Sequence, residues 1–88
     1  VRVVFRKSFE RDLKGIKDRN ILKKIRLSIE ETEAATSLQD VSGLKKLSSA
    51  SSFYRIRLGE YRIGLVAEAS GVEFVRCLHR REIYRYFP

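Results

Sequence analysis

Apolar and polar positions alternate with a period of two through Tyr54-Arg55-Ile56-Arg57-Leu58 and again through Tyr61-Arg62-Ile63-Gly64-Leu65. This is the pattern of strands with one face on a core and the other turned to something polar. In the first strand, Phe53 to Leu58, residues Tyr54, Ile56 and Leu58 share a face, and Arg55 and Arg57 share the other. Gly59-Glu60 follows, a two-residue link that begins with glycine and suits a type II′ hairpin turn. In the next strand, Tyr61 to Ala67, residues Tyr61, Ile63, Leu65 and Ala67 lie on one face, with Arg62 and Gly64 opposite. Ala69-Ser70-Gly71 marks another turn. Val72 to His79 then forms a strand whose two faces, Phe74/Arg76/Leu78 and Val75/Cys77/His79, are both largely apolar, as a central strand requires.

The earlier part of the chain has a different period. Residues 1–6 are β-branched and aromatic and read as a short strand. Ser8 offers a helix N-cap, and Phe9, Leu13 and Ile16 recur at helical spacing. Asp18-Arg19-Asn20 is a turn in which Asp18 or Asn20 caps a second helix with Leu22, Ile25, Ile29 and Thr32 on its inner face. Glu30, Glu31 and Glu33 crowd the end of that helix, where its dipole disfavours each by roughly a few tenths of a kcal/mol. The pattern itself supplies no reason for them. Residues 37–52 read as a loop, anchored by Leu44 and Leu47 and ending in the small polar run from Ser48 to Ser52. The segment before it is too short for a core of its own, so no domain boundary falls there. The expectation is a single α+β domain over residues 1–88, ordered β-α-α-β-β-β. A helical hairpin packs on one face of a four-stranded, mostly antiparallel sheet and leaves the other face uncovered.

With 88 residues, 43% of them hydrophobic, the chain can bury one modest core. It has no run of ~18 apolar residues that would span a membrane. Its beginning, Val1-Arg2-Val3-Val4-Phe5, is too short and too basic for a secretory signal. It contains no Met, so an initiator is expected to have been removed or to lie outside the sequence. Cys77 is alone, which excludes an internal disulfide. In an apolar strand it reads as a small core residue rather than a nucleophile, and it fits a reducing, cytoplasmic setting. One His and one Cys make no zinc site, and neither a metal nor another cofactor is expected.

Nineteen Lys and Arg against eleven Asp and Glu give a net charge of +8. That excess favours a polyanionic partner: nucleic acid, an acidic protein or a membrane surface. Charge alone is equally well explained by a solvated basic surface. The placement of the arginines sharpens the picture. Arg55, Arg57 and Arg62 should project together from the uncovered sheet face, with strand neighbours ~6.6 Å apart, a span that suits adjacent phosphates. Arg80-Arg81-Glu82-Ile83-Tyr84-Arg85-Tyr86 adds further basic and aromatic groups. In the ordinary reading each arginine is paired with Glu60, Glu68, Glu73 or Glu82. In the functional reading guanidinium forks grip phosphate and tyrosines stack on unpaired bases. RNA cleavage on such a face would use the substrate's own 2′-OH as nucleophile, with no metal and no covalent intermediate. Lys45 and Lys46 are either solvated or further phosphate contacts.

The element order, together with Leu47, Phe53-Tyr54-Arg55-Ile56-Arg57, Gly59-Glu60-Tyr61-Arg62-Ile63 and His79-Arg80-Arg81-Glu82-Ile83-Tyr84-Arg85, resembles the RelE branch of the RelE/ParE toxin superfamily over essentially the whole chain. The resemblance implies a toxin of a type II toxin–antitoxin pair, an mRNA endonuclease that acts in the A site of the ribosomal 30S subunit. The implied catalytic residues are Arg55, Arg57, Arg62, Arg81 and Tyr84. The arginines would orient the phosphate and stabilise its charge, and Tyr84 would stack or handle a proton. Lys45, Lys46, Arg80 and Arg85 are the further candidates for RNA binding. The implied protein partner is a cognate antitoxin with an acidic, partly disordered segment that folds on binding.

One departure stands out. Well-studied relatives carry lysines at the positions of Arg55 and Arg57, and a guanidinium is a poor base. His79 has a suitable intrinsic pKa but equally suits a structural role. Glu60 and Glu82 are ordinary salt-bridge partners as much as bases. The alternatives are a ParE-like inhibitor of DNA gyrase, which shares the fold, and a non-catalytic RNA-binding module.

Overall fold

A computed structural model describes residues 1–49 and 51–88. The Ser48 to Ser52 run therefore includes one residue, 50, outside the described set. The chain is α+β, as its pattern implies, with five strands rather than four. Strand β1 (Val3–Phe5) leads into helices α1 (Lys7–Lys14) and α2 (Arg19–Ala34). A turn of 3-10 helix at Leu38–Asp40 precedes β2 (Leu44–Lys46). Then come β3 (Phe53–Leu58), β4 (Tyr61–Glu68), β5 (Gly71–His79) and a short helix α3 (Ile83–Tyr86). The sheet order is β1-β5-β4-β3-β2. β1 runs parallel to β5, and the other pairs are antiparallel.

The additional strand, β2, lies in the segment expected to be a loop. It pairs Leu44 with Ile56, Lys45 with Arg55 and Lys46 with Tyr54. Three residues cannot show a period-two pattern, and their ladder depends on β3 being present. The β3–β4 turn behaves as expected: Gly59 takes a positive φ of 59°, and no non-glycine residue in the described chain does.

Two local expectations for the helices divide. Asp18 caps α2, accepting hydrogen bonds from the backbone N–H groups of Asn20 (2.9 Å) and Ile21 (3.3 Å). Ser8 does not cap α1. That helix starts two residues earlier, at Lys7, from an extended Arg6 that provides no side-chain cap. Ser8 Oγ instead donates to the Val75 carbonyl. The reason is an edge left open in the sheet. β1 ends at Phe5, opposite Phe74, so the backbone of β5 beyond that point has no strand beside it. Helix α1 takes the vacant place with side chains: Ser8 meets Val75, and the Asp12 carboxylate accepts the Cys77 N–H at 2.9 Å.

The helices cover one sheet face. Phe9, Ile16, Ile21 and Ile25 pack on Ile56, Ile63, Leu65, Val72, Phe74 and Cys77. The buried stripe of α2 is Ile21, Ile25, Ser28 and Thr32, with Leu22 and Ile29 at its margins, so it is turned slightly from the expected one. Thr32 Oγ1 is satisfied by the Ser28 carbonyl at 2.8 Å. Glu31 has a structural purpose: its carboxylate accepts from the backbone N–H (3.0 Å) and hydroxyl (2.9 Å) of Ser42, fixing the approach to β2.

The opposite face is not bare. Val75, Ile83 and Phe87 form a second small core there with Leu47, Phe53, Val66 and Leu78. An irregularity of register brings this about. The β4–β5 ladder pairs Gly64 with Arg76 but Leu65 with Phe74, leaving Val75 as an extra residue. Simple alternation would have put Val75 and Cys77 on the same face. The bulge sends Cys77 into the helix-side core and Val75 into the other.

Candidate functional site

The second face divides into a covered end and an open one. Helix α3 and Phe87 close the covered end, and the open end carries the arginines. Across β3 and β4, Arg57 sits directly opposite Arg62 and Arg55 opposite Gly64, and Lys45 of β2 continues the row from Arg55. Direct cross-strand partners have Cβ atoms about 5 Å apart, and like charges so placed destabilise the sheet. Arg57 and Arg62 are therefore an arrangement that folding alone does not favour.

The acids do not neutralise it. Glu60 pairs with Arg80 at 3.0 Å and lies 3.7 Å from His79. Glu73 pairs with Arg6, and Glu82 lies 3.8 Å from Arg85. No ion pair in the described residues involves Arg55, Arg57, Arg62 or Arg81. Two of the arginines are instead held by backbone carbonyls. Arg55 Nη1 donates to the Gly43 carbonyl at 2.8 Å, while its buried Nε has no partner. Arg62 Nη1 donates to the carbonyls of Gly59 (2.6 Å) and Tyr61 (2.9 Å). Carbonyls orient a guanidinium without cancelling its charge. Partial burial, and then the positive charges of Arg57, Arg55 and Arg80, push the Arg62 pKa below its ordinary value, with Tyr84 acting in the other direction. Arg62 is thus the centre of an uncompensated positive field.

The remaining candidates separate by position. Lys45 lies in the arginine row, but Lys46 points the other way, with Nζ 5.9 Å from the Tyr54 ring centroid. Arg80 and Arg85 stand in the exposed pairs with Glu60 and Glu82. Arg81 is exposed on the turn after β5. Tyr84, on α3, is 59% exposed. His79 serves the turn: its Nδ1 accepts the backbone N–H of Arg81 at 3.2 Å, and its ring meets Tyr61 edge-on at 5.7 Å. Tyr61 packs with the helix-side core, so the imidazole belongs to that side and not to the arginine row.

Several further contacts hold the site in place, most of them from residues outside the sequence-based candidates. The Arg80 N–H donates to the Glu60 carbonyl at 2.7 Å, tying the start of the tail to the β3–β4 turn. Asp12 accepts two hydrogen bonds from Arg76, at 2.8 and 3.1 Å. The Arg76 guanidinium lies 5.5 Å from the centroid of the Tyr86 ring. Ile83 and Phe87 are buried to 0% and 2% exposure. Their i, i+4 spacing was the available signal for a short amphipathic turn. Cys77 is inert by environment, as burial followed by the charge of Asp12 pushes its thiol up to about 12.

Comparison with known proteins agrees with this fold. Residues 3–84 match the family described as the ParE toxin of type II toxin–antitoxin systems, parDE. The chain is 43% identical to Toxin RelE3 of Methanocaldococcus jannaschii over the full length of both. Its structure superposes with a TM-score of 0.81 on a chain of the RelB–RelE antitoxin–toxin complex from Methanococcus jannaschii. That pair is 41% identical and covers 97% of this chain and 99% of the other. A chain of the toxin–antitoxin complex RelBE2 of Mycobacterium tuberculosis shares the fold at TM-score 0.63 and 23% identity, over 89% and 95% of the two chains. The chain belongs to the RelE/ParE toxin superfamily of type II toxin–antitoxin systems, on its RelE branch.

Proposed function

We propose that this protein is a translation-inhibiting toxin that cleaves mRNA on the ribosome and is held in check by a cognate antitoxin in the cytoplasm. The observation that carries the reading is the cluster of Arg55, Arg57 and Arg62, drawn together at a folding cost and left without a carboxylate. A polyanion is the natural counter-charge for such a face.

The chemistry follows from what these groups can do. The 2′-oxygen of the substrate attacks the adjacent phosphorus, the bond from phosphorus to the 5′-oxygen breaks, and the products are a 2′,3′-cyclic phosphate and a 5′-hydroxyl. Arg57 and Arg62 stabilise the charge that builds on the non-bridging oxygens, and Arg55 and Lys45 hold the flanking backbone. The 2′-OH proton must leave and the 5′-oxygen must gain one. Tyr84, exposed on α3, is the side chain suited to relay a proton, while Arg81 and Arg85 extend the contact along the strand. With no imidazole or carboxylate in the arginine row, alignment and charge stabilisation carry most of the rate. A ribosome that presents the message in one geometry supplies the rest.

The match to the ParE description favours one second reading, inhibition of DNA gyrase without RNA cleavage. The test is to incubate purified protein with a message, with and without ribosomes, alongside a gyrase supercoiling reaction. Ribosome-dependent cutting with normal supercoiling is expected. Intact message with blocked supercoiling would establish the second reading in its place.

A further inference from the structure

Tyr84 is exposed and sits on a helix of four residues. A single helical turn does not hold itself in water, so the place of Tyr84 must be set by what flanks it. Ile83, just before it, is fully buried. Phe87, three residues on, is almost so, and its N–H donates to the Ile83 carbonyl at 2.8 Å. The Phe87 ring meets Phe53 edge-on at 5.5 Å and lies flat over Gly64: a Cβ on Gly64 would fall 2.5–2.8 Å from three ring atoms.

Gly64 stands in the middle of the cross-strand row that runs Lys45, Arg55, Gly64, Arg76. Its φ is not in the left-handed region, where Gly43, Gly59 and Gly71 alone among the described residues lie. Glycine inside a strand weakens it unless another group must come close. Here conformation makes no demand, so the reason is space for the ring. Beyond Phe87, the Tyr86 ring rests on Arg76, which Asp12 fixes from helix α1.

We infer that the bare backbone of Gly64 and the Phe87 ring form a lock that sets the C-terminal turn, and with it Tyr84, against the arginine cluster. Gly64 and Phe87 are then positioning residues for the proposed cleavage, and the inference about turnover rests on that reading. The lock itself carries no charged group. Disturbing it separates phosphate binding from turnover.

The experiment compares wild type with Gly64→Ala, Phe87→Leu and the double variant. It measures kcat and KM for cleavage of a ribosome-bound message, and the proton NMR spectrum of each free protein. The expected result is a kcat lower by about tenfold or more in each single variant, from displacement of a reacting group by an ångström or so. KM should stay within about threefold because the arginines remain. The double variant should be no slower than Phe87→Leu, because both changes break one lock. Phe87→Leu adds no atoms to the sheet and keeps the test open should Gly64→Ala misfold. In the spectra, the Gly64 α-protons should be shifted upfield by the ring in wild type only, and the Tyr84 ring resonances should move from their wild-type positions in all three variants. Wild-type kcat in the single variants, or strictly additive losses, would overturn the positioning role. A wild-type protein that cuts nothing sinks the proposed function instead, and the spectra still judge the lock: Tyr84 resonances that stay at their wild-type positions in the variants refute it.

Discussion

Replacing Asp12 by Ala removes the side chain that joins helix α1 to the open edge of β5. Three hydrogen bonds end on this one carboxylate: two from Arg76, at 2.8 and 3.1 Å, and one from the Cys77 backbone N–H, at 2.9 Å. Removing one partner of a buried ion pair costs about 3–5 kcal/mol. The Asp12 side chain is only 10% exposed, but that of Arg76 is 25% exposed, so water recovers part of the loss for the guanidinium. The Cys77 N–H has no such recourse. A loss of about 2–3 kcal/mol follows, which for a domain of this size is a fall in Tm of roughly 10–20 °C. Asp12→Asn, which keeps an acceptor for the Cys77 N–H but not the charge, should lose about half as much. Urea unfolding followed by circular dichroism gives the numbers, with an unchanged m-value confirming the same two states. A double-mutant cycle with Arg76→Ala should return a coupling above about 1 kcal/mol. If Asp12→Ala unfolds within about 0.5 kcal/mol of wild type, the edge-capping argument is wrong.

Two further predictions concern charge. Arg57 is exposed, has no partner in the described residues and faces Arg62 directly. Arg57→Gln should therefore leave stability unchanged or raise it by up to about 1 kcal/mol. The same change should lower the salt slope for single-stranded RNA by about 0.7, so melting and binding titrations move in opposite directions; a destabilised variant with an unchanged slope would contradict the site. Cys77 has its thiol raised from 9.0 to about 12 in the fold. The folded protein then holds a proton that the unfolded chain releases, so stability contributed below pH 9 is lost as pH rises toward 12. Stability should fall more steeply over that window in wild type than in Cys77→Ala, and iodoacetamide at pH 8 should leave the folded thiol unmodified; rapid labelling of the folded protein would refute its burial.

What the chain revealed in advance was whatever local chemistry decides. Alternation in β3 and β4 sorted Arg55, Arg57 and Arg62 onto one face, Gly59 marked the turn, and Asp18 marked the start of α2. The readings that failed were those settled by distant partners. β2 exists because β3 lies beside it, and Ser8 turned from capping its own helix because β5 had an unfilled edge. The bulge at Val75 hid behind a strand apolar on both faces, where a slipped residue leaves no trace in the pattern. The covering of the second face by Ile83 and Phe87 was foreshadowed only by their spacing. In the site, the sorting of Lys45 from Lys46 required the β2 register, and the occupation of Glu60 and Glu82 by Arg80 and Arg85 required coordinates. His79, a base candidate by its chemistry, is committed to the turn that carries Arg81.

The central claim is that the arginine face cuts RNA that a ribosome presents. Primer extension on a message carrying an early in-frame stop codon tests it most directly, with the protein expressed alone and the 5′ ends mapped upstream and downstream of the stop. The account predicts growth arrest and new ends confined to the translated segment, absent in an Arg57→Gln, Arg62→Gln double variant. Growth arrest with no new ends, or ends spread equally beyond the stop codon, would contradict it.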